Sequence, residues 1–269
     1  ERLNEIHGQK DEEQDITSKL TVLPDRRDIR IENLSFSYDG ADRDYVLKDV
    51  NLDIPEHKVT AIVGASGSGK TTLIKLMLGF YTPNKGDIKI GETPLDVVNP
   101  HLWRAKSGSV MQDGFIFSDT IANNIAVGEE QVDVERLRHA VTVANIRDFI
   151  DSLPLGYNTK IGMEGNGISQ GQRLLIARAV YKNPEFLFFD EATNALDANN
   201  EREIMEHLHT FYRGKTVVVV AHRLSTVRDA DKIVVLDKGA VAEEGTHREL
   251  TEKKGLYYQL VKNQLELGS

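Results

Sequence analysis

The stretch that decides the fold is residues 59–71, Val-Thr-Ala-Ile-Val-Gly-Ala-Ser-Gly-Ser-Gly-Lys-Thr. Its first five residues form a short apolar run of the kind found in a strand that is buried on both faces of a parallel sheet. The last eight fit the pattern G-x-x-x-x-G-K-[S/T], and apolar residues at helical spacing follow them, namely Leu73, Leu76 and Met77. A strand, a glycine-rich turn and a helix in this order predict a loop whose backbone N–H groups surround a chain of phosphates.

Each residue of this loop has an expected role. The glycines let the backbone approach phosphate closely, Lys70 can reach the β- and γ-phosphates and assist catalysis, and the Thr71 hydroxyl can ligate Mg²⁺. A chance glycine-rich turn would match the pattern in roughly one of a hundred chains of this length, judged from average residue usage. The residues that we expect to contact nucleotide here are Gly64, Ser66, Gly67, Ser68, Gly69, Lys70, Thr71 and Thr72.

Two carboxylates follow a second apolar run. Residues 186–189 read Phe-Leu-Phe-Phe, and Asp190 and Glu191 come directly after them. The carboxyl ends of parallel strands are where open α/β sheets place their ligands, so Asp190 is a candidate for the Mg²⁺ shell. Glu191 could polarise an attacking water, which distinguishes a hydrolase from a passive binder. The alternatives are a helix or turn cap for Asp190 and a solvated acid for Glu191.

A histidine ends a third apolar run. His222 follows residues 217–221, Val-Val-Val-Val-Ala. A lone histidine is more often structural than catalytic. Because this one is expected at the same sheet edge as Asp190, we predict that it contacts the γ-phosphate.

The rest of the chain alternates between strand and helix patterns, which indicates an α/β fold with a largely parallel sheet. The first 90 residues are rich in strands and predict an antiparallel part beside that sheet, whereas a helical subdomain is expected over about residues 99–182. Residues 1–28 are polar and predict a linker, and residues 29–267 predict the folded domain. The predicted strands are residues 29–36, 47–54, 59–63, 88–90, 109–111, 186–189, 216–221 and 232–236. The predicted helices are residues 71–78, 132–150 with a break near Asn145, 169–181, 200–212 and 246–267.

Composition excludes some classes of function. The chain has no cysteine, which removes disulfides, thiolate zinc sites and a cysteine nucleophile from these 269 residues. A net charge of −9 argues against broad nucleic-acid binding, because a phosphate backbone recruits basic surfaces. No apolar stretch approaches the roughly 20 residues that a membrane helix needs.

Together these motifs resemble the ABC (ATP-binding cassette) ATPase family over about residues 28–266. The loop at 64–71, the strand that ends at Asp190-Glu191 and residues 221–226 correspond to the family's Walker A, Walker B and H-loop. Residues 191–197 are similar to the passage from Walker B to the D-loop, with Asn194 where serine is common. The resemblance implies a P-loop core that binds ATP and Mg²⁺.

The resemblance also assigns two residues that the pattern alone does not. Gln112 matches the Q-loop glutamine, which in the family meets Mg²⁺ and the water and faces the membrane domain. Tyr38 matches the A-loop aromatic that stacks on adenine. Such stacking, with no specific readout of guanine, favours ATP over GTP. An ordinary strand aromatic is the alternative for Tyr38.

The family's signature, L-S-G-G-Q, is represented by residues 168–172, Ile-Ser-Gln-Gly-Gln. Ser169, Gly171 and Gln172 are retained, but the helical sequence that follows is two residues shorter than the family pattern. Two missing residues rotate the rest of a helix by roughly 200°, which would misalign either the signature or the core face of the helix. Either the deletion is real or two residues of the natural protein are absent from the sequence, and the second explanation is preferred because nothing else looks decayed.

In the family two such domains pack head to tail, so the retained signature residues are expected to serve the nucleotide of the partner domain. Residues 1–6 and 123–125 are similar to those of exporters with a membrane domain in the same polypeptide. Residues 162–167 and Gln170 are similar to those of exporters that trim peptides, including bacteriocins, with an attached cysteine peptidase, although no peptidase lies within these 269 residues. The resemblance therefore implies an ATPase motor at the cytoplasmic face of the inner membrane, soluble as this fragment.

Two other hypotheses stay open. A soluble ABC ATPase acting on DNA or ribosomes would have a basic face or a second cassette, and the net charge and the single P-loop count against it. A regulatory nucleotide-binding module without turnover is opposed by Glu191 and His222, but the departure in the signature leaves it open.

Overall fold

The computed structural model describes residues 16–39, 44–162, 168–191, 198–221 and 224–267. The strands are β1 Ile29–Phe36, β2 Leu47–Ile54, β3 Val59–Val63, β4 Lys85–Ile90, β5 Thr93–Pro94, β6 Ser107–Val110, β7 Asp119–Thr120, β8 Lys160–Ile161, β9 Phe186–Asp190, β10 Thr216–Val220, β11 Lys232–Asp237 and β12 Ala240–Gly245. The helices are α1 Lys70–Met77, α2 Pro100–Lys106, α3 Ile121–Ile125, α4 Val134–Val143, α5 Arg147–Ser152, α6 Ile168–Lys182, α7 Ala198–Phe211, α8 Leu224–Val227, α9 His247–Lys253 and α10 Leu256–Leu267. Short 3₁₀ turns lie at Ile16–Ser18, Leu95–Val97 and Gly156–Asn158.

A six-stranded sheet with the order β12-β11-β3-β10-β9-β6 forms the centre of the molecule. The pairs from β11 to β6 are parallel, and β12 joins β11 antiparallel at the edge. Strands β9 and β10 are buried along their whole length, because both faces of a parallel sheet are covered by other elements. The predicted α/β fold with a mostly parallel sheet is confirmed. Strand β12 was not predicted, because its sequence Ala-Val-Ala-Glu-Glu-Gly is half exposed and charged.

Alternate residues of β9 face different cores. Phe186 and Phe188 belong to one buried cluster, and Leu187 and Phe189 belong to the other. This follows from the two-residue period of a strand. The first cluster includes the buried face of α1 and the second includes that of α6, so the two helices cover opposite faces of the sheet.

The antiparallel part predicted near the N-terminus is present as a four-stranded sheet with the order β2-β1-β4-β5. Its buried residues share one cluster with α1, which therefore packs between the two sheets. The glycine-rich loop before α1 is held between these layers.

The helical region between β6 and β9 begins later than predicted. Strand β6 lies within the predicted range of 99–182, but it pairs with β9 in the central sheet. Among the residues described there, helices α3 to α6 and the small β7-β8 ladder follow it. The predicted break near Asn145 is present, because Asn145 adopts a left-handed conformation (φ 51°) between α4 and α5.

Both ends of the described chain differ in detail from their predictions. In the segment predicted as a linker, Leu23 is buried and Leu20 pairs with Val98. The tail predicted as one helix is divided into α9 and α10 at Lys254, whose φ is 53°. Among the described residues, no helix is both long and apolar enough to cross a bilayer.

Candidate nucleotide site

The glycine-rich loop lies at the carboxyl end of β3, and parallel pairing brings the carboxyl ends of β10 and β9 to the same edge. Two positions in the loop require glycine. Gly64 has φ 154°, and a Cβ there would collide with the carbonyl oxygen of Leu236. Gly69 has φ 103°, and its Cβ would lie 2.6 Å from Leu47 Cδ2. The loop can therefore approach its neighbours, and a ligand, only as bare backbone.

Lys70 begins α1 and folds back over the loop. Its Nζ donates hydrogen bonds to the carbonyl oxygens of Gly64 and Ala65, both at 2.9 Å. Burial lowers the pKa of the Lys70 ammonium, and the charges of Glu191 and Asp190 oppose that shift. An ammonium has three donors, so this arrangement fixes the group within the loop and leaves one donor to face an anion.

Asp190 ends β9 and is only 1% exposed. Neither Oδ1 nor Oδ2 has a hydrogen-bond partner in the described part of the chain. Burial raises the pKa of this carboxyl, although the nearby Thr71 hydroxyl and the Lys70 charge act in the opposite direction. A buried carboxylate with two unpartnered oxygens is costly on its own. It is therefore suited to a cation that would use those oxygens.

Glu191 follows Asp190 in a left-handed conformation with φ 53°. Its N–H donates to the carbonyl oxygen of Val220 at 3.1 Å, which ties this turn to the adjacent strand β10. A non-glycine residue held there stores strain on the order of 1 kcal/mol. The turn places Glu191 in the wall of the same cavity that Lys70 lines.

This cavity has a volume of about 550 Å³, enough for a nucleotide-sized ligand. It brings together loop, helix and sheet-edge residues, namely Val46, Ser66, Gly67, Gly69, Lys70, Thr71, Thr72, Gln112 and Glu191. All of them except Val46 are site residues predicted from the sequence. Val46, directly before β2, carried no local signal in the sequence for this position.

Gly64 and Ser68 contribute to the loop rather than to the cavity wall. Gly64 supplies a carbonyl oxygen to Lys70, and the buried Ser68 Oγ has no hydrogen-bond partner among the described residues.

Tyr38 lies beside this cavity. Its hydroxyl and the Thr72 hydroxyl are 3.0 Å apart and form a hydrogen bond. The residue is 48% exposed, and its ring contacts the rings of Phe36 and Tyr81. An aromatic face is thus available next to the phosphate loop.

The signature residues lie apart from this cavity. Gly171 and Gln172 are in the first turns of α6, and they are not among the residues that line the cavity of their own chain. Beyond them α6 is continuous, and its core face is intact. The side chain of Ser169 and the whole of His222 lie outside the described residues.

Comparisons with known proteins agree with this geometry. Residues 47–194 match the family model described as ABC transporter. The exotoxin translocation ATP-binding protein PaxB of Pasteurella aerogenes is 44% identical over 92% of this chain and 35% of its own length. The alpha-hemolysin translocation ATP-binding protein HlyB of Escherichia coli is 43% identical over 90% of this chain and 35% of its own.

A solved structure is similar as well. A bacterial Atm1-family ABC exporter with ATP bound superposes with a TM-score of 0.87 and 37% identity, covering 92% of this chain and 44% of that one. The chain thus spans about a third of the length of the curated relatives it matches. The resemblance inferred from the motifs is confirmed: the chain belongs to the ABC transporter family.

Proposed function

We propose that this chain is the motor domain of an exporter, which binds Mg-ATP and hydrolyses it to ADP and phosphate. Membership of the ABC transporter family implies ATP binding. The proposal of hydrolysis rests on one cavity, which residues of the phosphate loop, Glu191 and Gln112 all line. Asp190, whose two carboxylate oxygens have no hydrogen-bond partner among the described residues, ends β9 directly before Glu191. A nucleotide-binding module without turnover would need the phosphate loop but not Glu191, Gln112 and Asp190.

The triphosphate is assigned to the loop and to the start of α1. Backbone N–H groups there and the partial positive charge of the helix N-terminus favour an anion. Lys70 supplies the formal positive charge, and the hydroxyls of Thr71 and Thr72 line the same wall. Tyr38 provides the aromatic face on which the adenine would stack.

The residues present also fit Mg²⁺. This ion prefers oxygen ligands and keeps several positions for water and substrate phosphates. Asp190, Thr71 and Gln112 supply such oxygens, and the two Asp190 oxygens lack other partners in the described part of the chain. The described residues contain no cluster of three or more His, Cys, Asp or Glu, so a cage built from protein carboxylates alone is absent there. When bound, Mg²⁺ would neutralise charge on the β- and γ-phosphates.

Glu191 is assigned as the group that activates water. Its carboxylate would accept a proton as the water oxygen attacks the γ-phosphorus and the bond to the β–γ bridging oxygen breaks. Gln112 would orient that water. His222, proposed from the sequence, would contact the γ-phosphate.

Coupling to export is proposed from the relatives, whose names describe translocation of toxins. A membrane-spanning domain of the same polypeptide and a second copy of this domain, packed head to tail, are the proposed partners. Ser169, Gly171 and Gln172 would then contact the nucleotide of the other copy. Closing and opening of the pair with ATP would move the membrane part, placing this domain at the cytoplasmic face.

Replacing Glu191 with glutamine tests the proposal. Glu191→Gln should retain ATP binding in calorimetry and lose about 10²- to 10⁴-fold in kcat, the usual contribution of a general base. It should also form more dimer with ATP by light scattering, because the bound nucleotide is not consumed.

Glu185→Gln is the matched control, because Glu185 immediately precedes β9 just as Glu191 follows it. The control should turn over at the wild-type rate. Equal kcat in wild type and Glu191→Gln would remove Glu191 from the role, and a wild-type chain that binds ATP without hydrolysing it would favour the regulatory module.

A further inference from the structure

Three aromatic side chains form a cluster beside the phosphate loop. The ring centroids of Tyr38 and Tyr81 are 5.2 Å apart with their planes at 88°, and those of Tyr38 and Phe36 are 5.0 Å apart at 81°. Phe36 and Tyr81 also contact each other at 5.5 Å. Phe36 is buried in the antiparallel sheet, whereas Tyr38 and Tyr81 are 48% and 43% exposed.

This cluster fixes the plane of a ring that would otherwise rotate. Tyr38 lies beyond the end of β1, where backbone pairing no longer holds it. Its hydroxyl is bonded to Thr72 on α1, which fixes one point of the ring. Near-perpendicular contacts with Phe36 and Tyr81 then restrict rotation of the Tyr38 ring about its Cβ–Cγ bond. A ring held in one plane loses less freedom when a base stacks on it.

We infer that Tyr81 is a positioning residue for ATP, which acts by holding the Tyr38 ring in the orientation that stacks on the base. The inference rests on the proposed function, since it assigns the base to Tyr38. Tyr81 is not among the residues that line the phosphate cavity, so its effect should depend on the base and not on the phosphates. The edge-to-face contact predicts a loss of about three- to tenfold in ATP affinity when Tyr81 is truncated.

The test compares two ligands that share phosphates but differ in the base. Calorimetry should show that Tyr81→Ala weakens the binding of Mg-ATP about three- to tenfold and leaves the affinity for inorganic triphosphate unchanged. KM for ATP should rise while kcat at saturating ATP stays at the wild-type value. Tyr81→Phe keeps the ring and should restore wild-type affinity.

A double-mutant cycle shows whether Tyr81 acts through Tyr38. In a Tyr38→Ala background, Tyr81→Ala should change ATP affinity by less than about twofold, because the ring it positions is gone. Phe80→Ala is the control: Phe80 precedes Tyr81, is 54% exposed, and is not among the ring partners of Tyr38. It should leave ATP affinity unchanged.

Any of three results would overturn the inference. These are that Tyr81→Ala weakens the binding of ATP and triphosphate equally, that it has its full effect on ATP affinity in the Tyr38→Ala background, or that it leaves ATP affinity unchanged. In each case wild type would still bind both ligands, and Lys70→Ala would still weaken both. If wild type bound neither ligand, the proposed function itself would fail, so the two failures are distinguishable.

Discussion

The two ends of strand β9 carry acidic residues in opposite situations. At the amino end, Glu185 Oε1 accepts a hydrogen bond from Lys106 at 2.6 Å and Oε2 accepts one from Arg27 at 2.8 Å. At the carboxyl end, neither oxygen of Asp190 has a partner among the described residues. Asp190 is the last residue of β9 and Glu185 immediately precedes the strand, so the difference lies in what surrounds each end.

The surrounding groups repeat this contrast. At the amino edge, Asp231 accepts from the backbone N–H of Val59 and from Lys58, and Thr216 accepts from the N–H of His57. Arg27 Nη1 is an exception, since it is buried without a partner in the described chain. At the carboxyl edge, Lys70, Gln112 and Glu191 line a cavity. Charged groups at the amino edge are thus paired within the fold, whereas the two Asp190 oxygens at the carboxyl edge have no partner among the described residues, which fits the ligand-binding role proposed for that edge.

The pKa shifts have opposite signs at the two ends. Burial raises the pKa of Asp190. Burial alone would also raise the pKa of Glu185, but the hydrogen bonds from Lys106 and Arg27 outweigh it and lower that pKa. As pH rises, the stability that Asp190 contributes should therefore fall, whereas the stability that Glu185 contributes should rise.

The largest expected effect is on nucleotide binding. Lys70→Ala should lower the affinity for ATP about 10- to 100-fold, since it removes a charged hydrogen-bond donor worth about 1.5–3 kcal/mol from the phosphate loop. Lys106→Ala is the control at the other edge and should leave ATP affinity unchanged. Titration calorimetry measures both, and equal affinities in the two variants would break the contrast between the edges.

A smaller effect is expected at Asp190. Without nucleotide and with EDTA at pH 7, Asp190→Asn should raise the free energy of unfolding by about 1–2 kcal/mol, because an amide is cheaper to bury than an unpartnered carboxylate. The folded pKa of Asp190 lies above the unfolded value of 3.8, so its contribution to stability is present below that value and lost as pH rises through the folded pKa. The advantage of the variant should therefore grow from pH 4 upward.

Urea denaturation from pH 4 to pH 7 measures this difference. A variant less stable than wild type at pH 7 would mean that Asp190 is paired in the fold, and would contradict its assignment to a ligand.

The smallest effect is expected at Glu185. Glu185→Gln should lower the free energy of unfolding by about 0.5–1 kcal/mol, a modest value because its side chain is over a third exposed and solvent screens its ion pairs. The folded pKa lies below the unfolded value of 4.5, so its contribution is present above that value and lost as pH falls through the folded pKa. The same denaturation series should show that the stability lost in Glu185→Gln becomes smaller toward low pH. A loss that grew toward low pH would mean that the Glu185 pKa is raised rather than lowered.

Local patterns were enough to predict the parts of the site that are contiguous in sequence. The loop of residues 64–71 and the acidic pair Asp190-Glu191 follow apolar runs, and a buried strand places whatever follows it at a sheet edge. Strand β12 and the break at Lys254 were not predicted, because a partly exposed strand with two glutamates and a left-handed lysine give no apolar signal. Contacts such as Tyr38 with Tyr81 join residues far apart in sequence, and no local pattern contains them.

By itself the sequence determined which groups are proposed to bind phosphate and to activate water. The spacing of the glycines, Lys70 and Thr71 and the order of apolar runs and acids are local properties. Only the tertiary structure decided that β10 lies between β3 and β9, and that Val46 and Glu191, far apart in sequence, line the same cavity. Strand order depends on which faces and edges pack best across the whole core. That is a sum over distant contacts, and no single stretch of the chain records it.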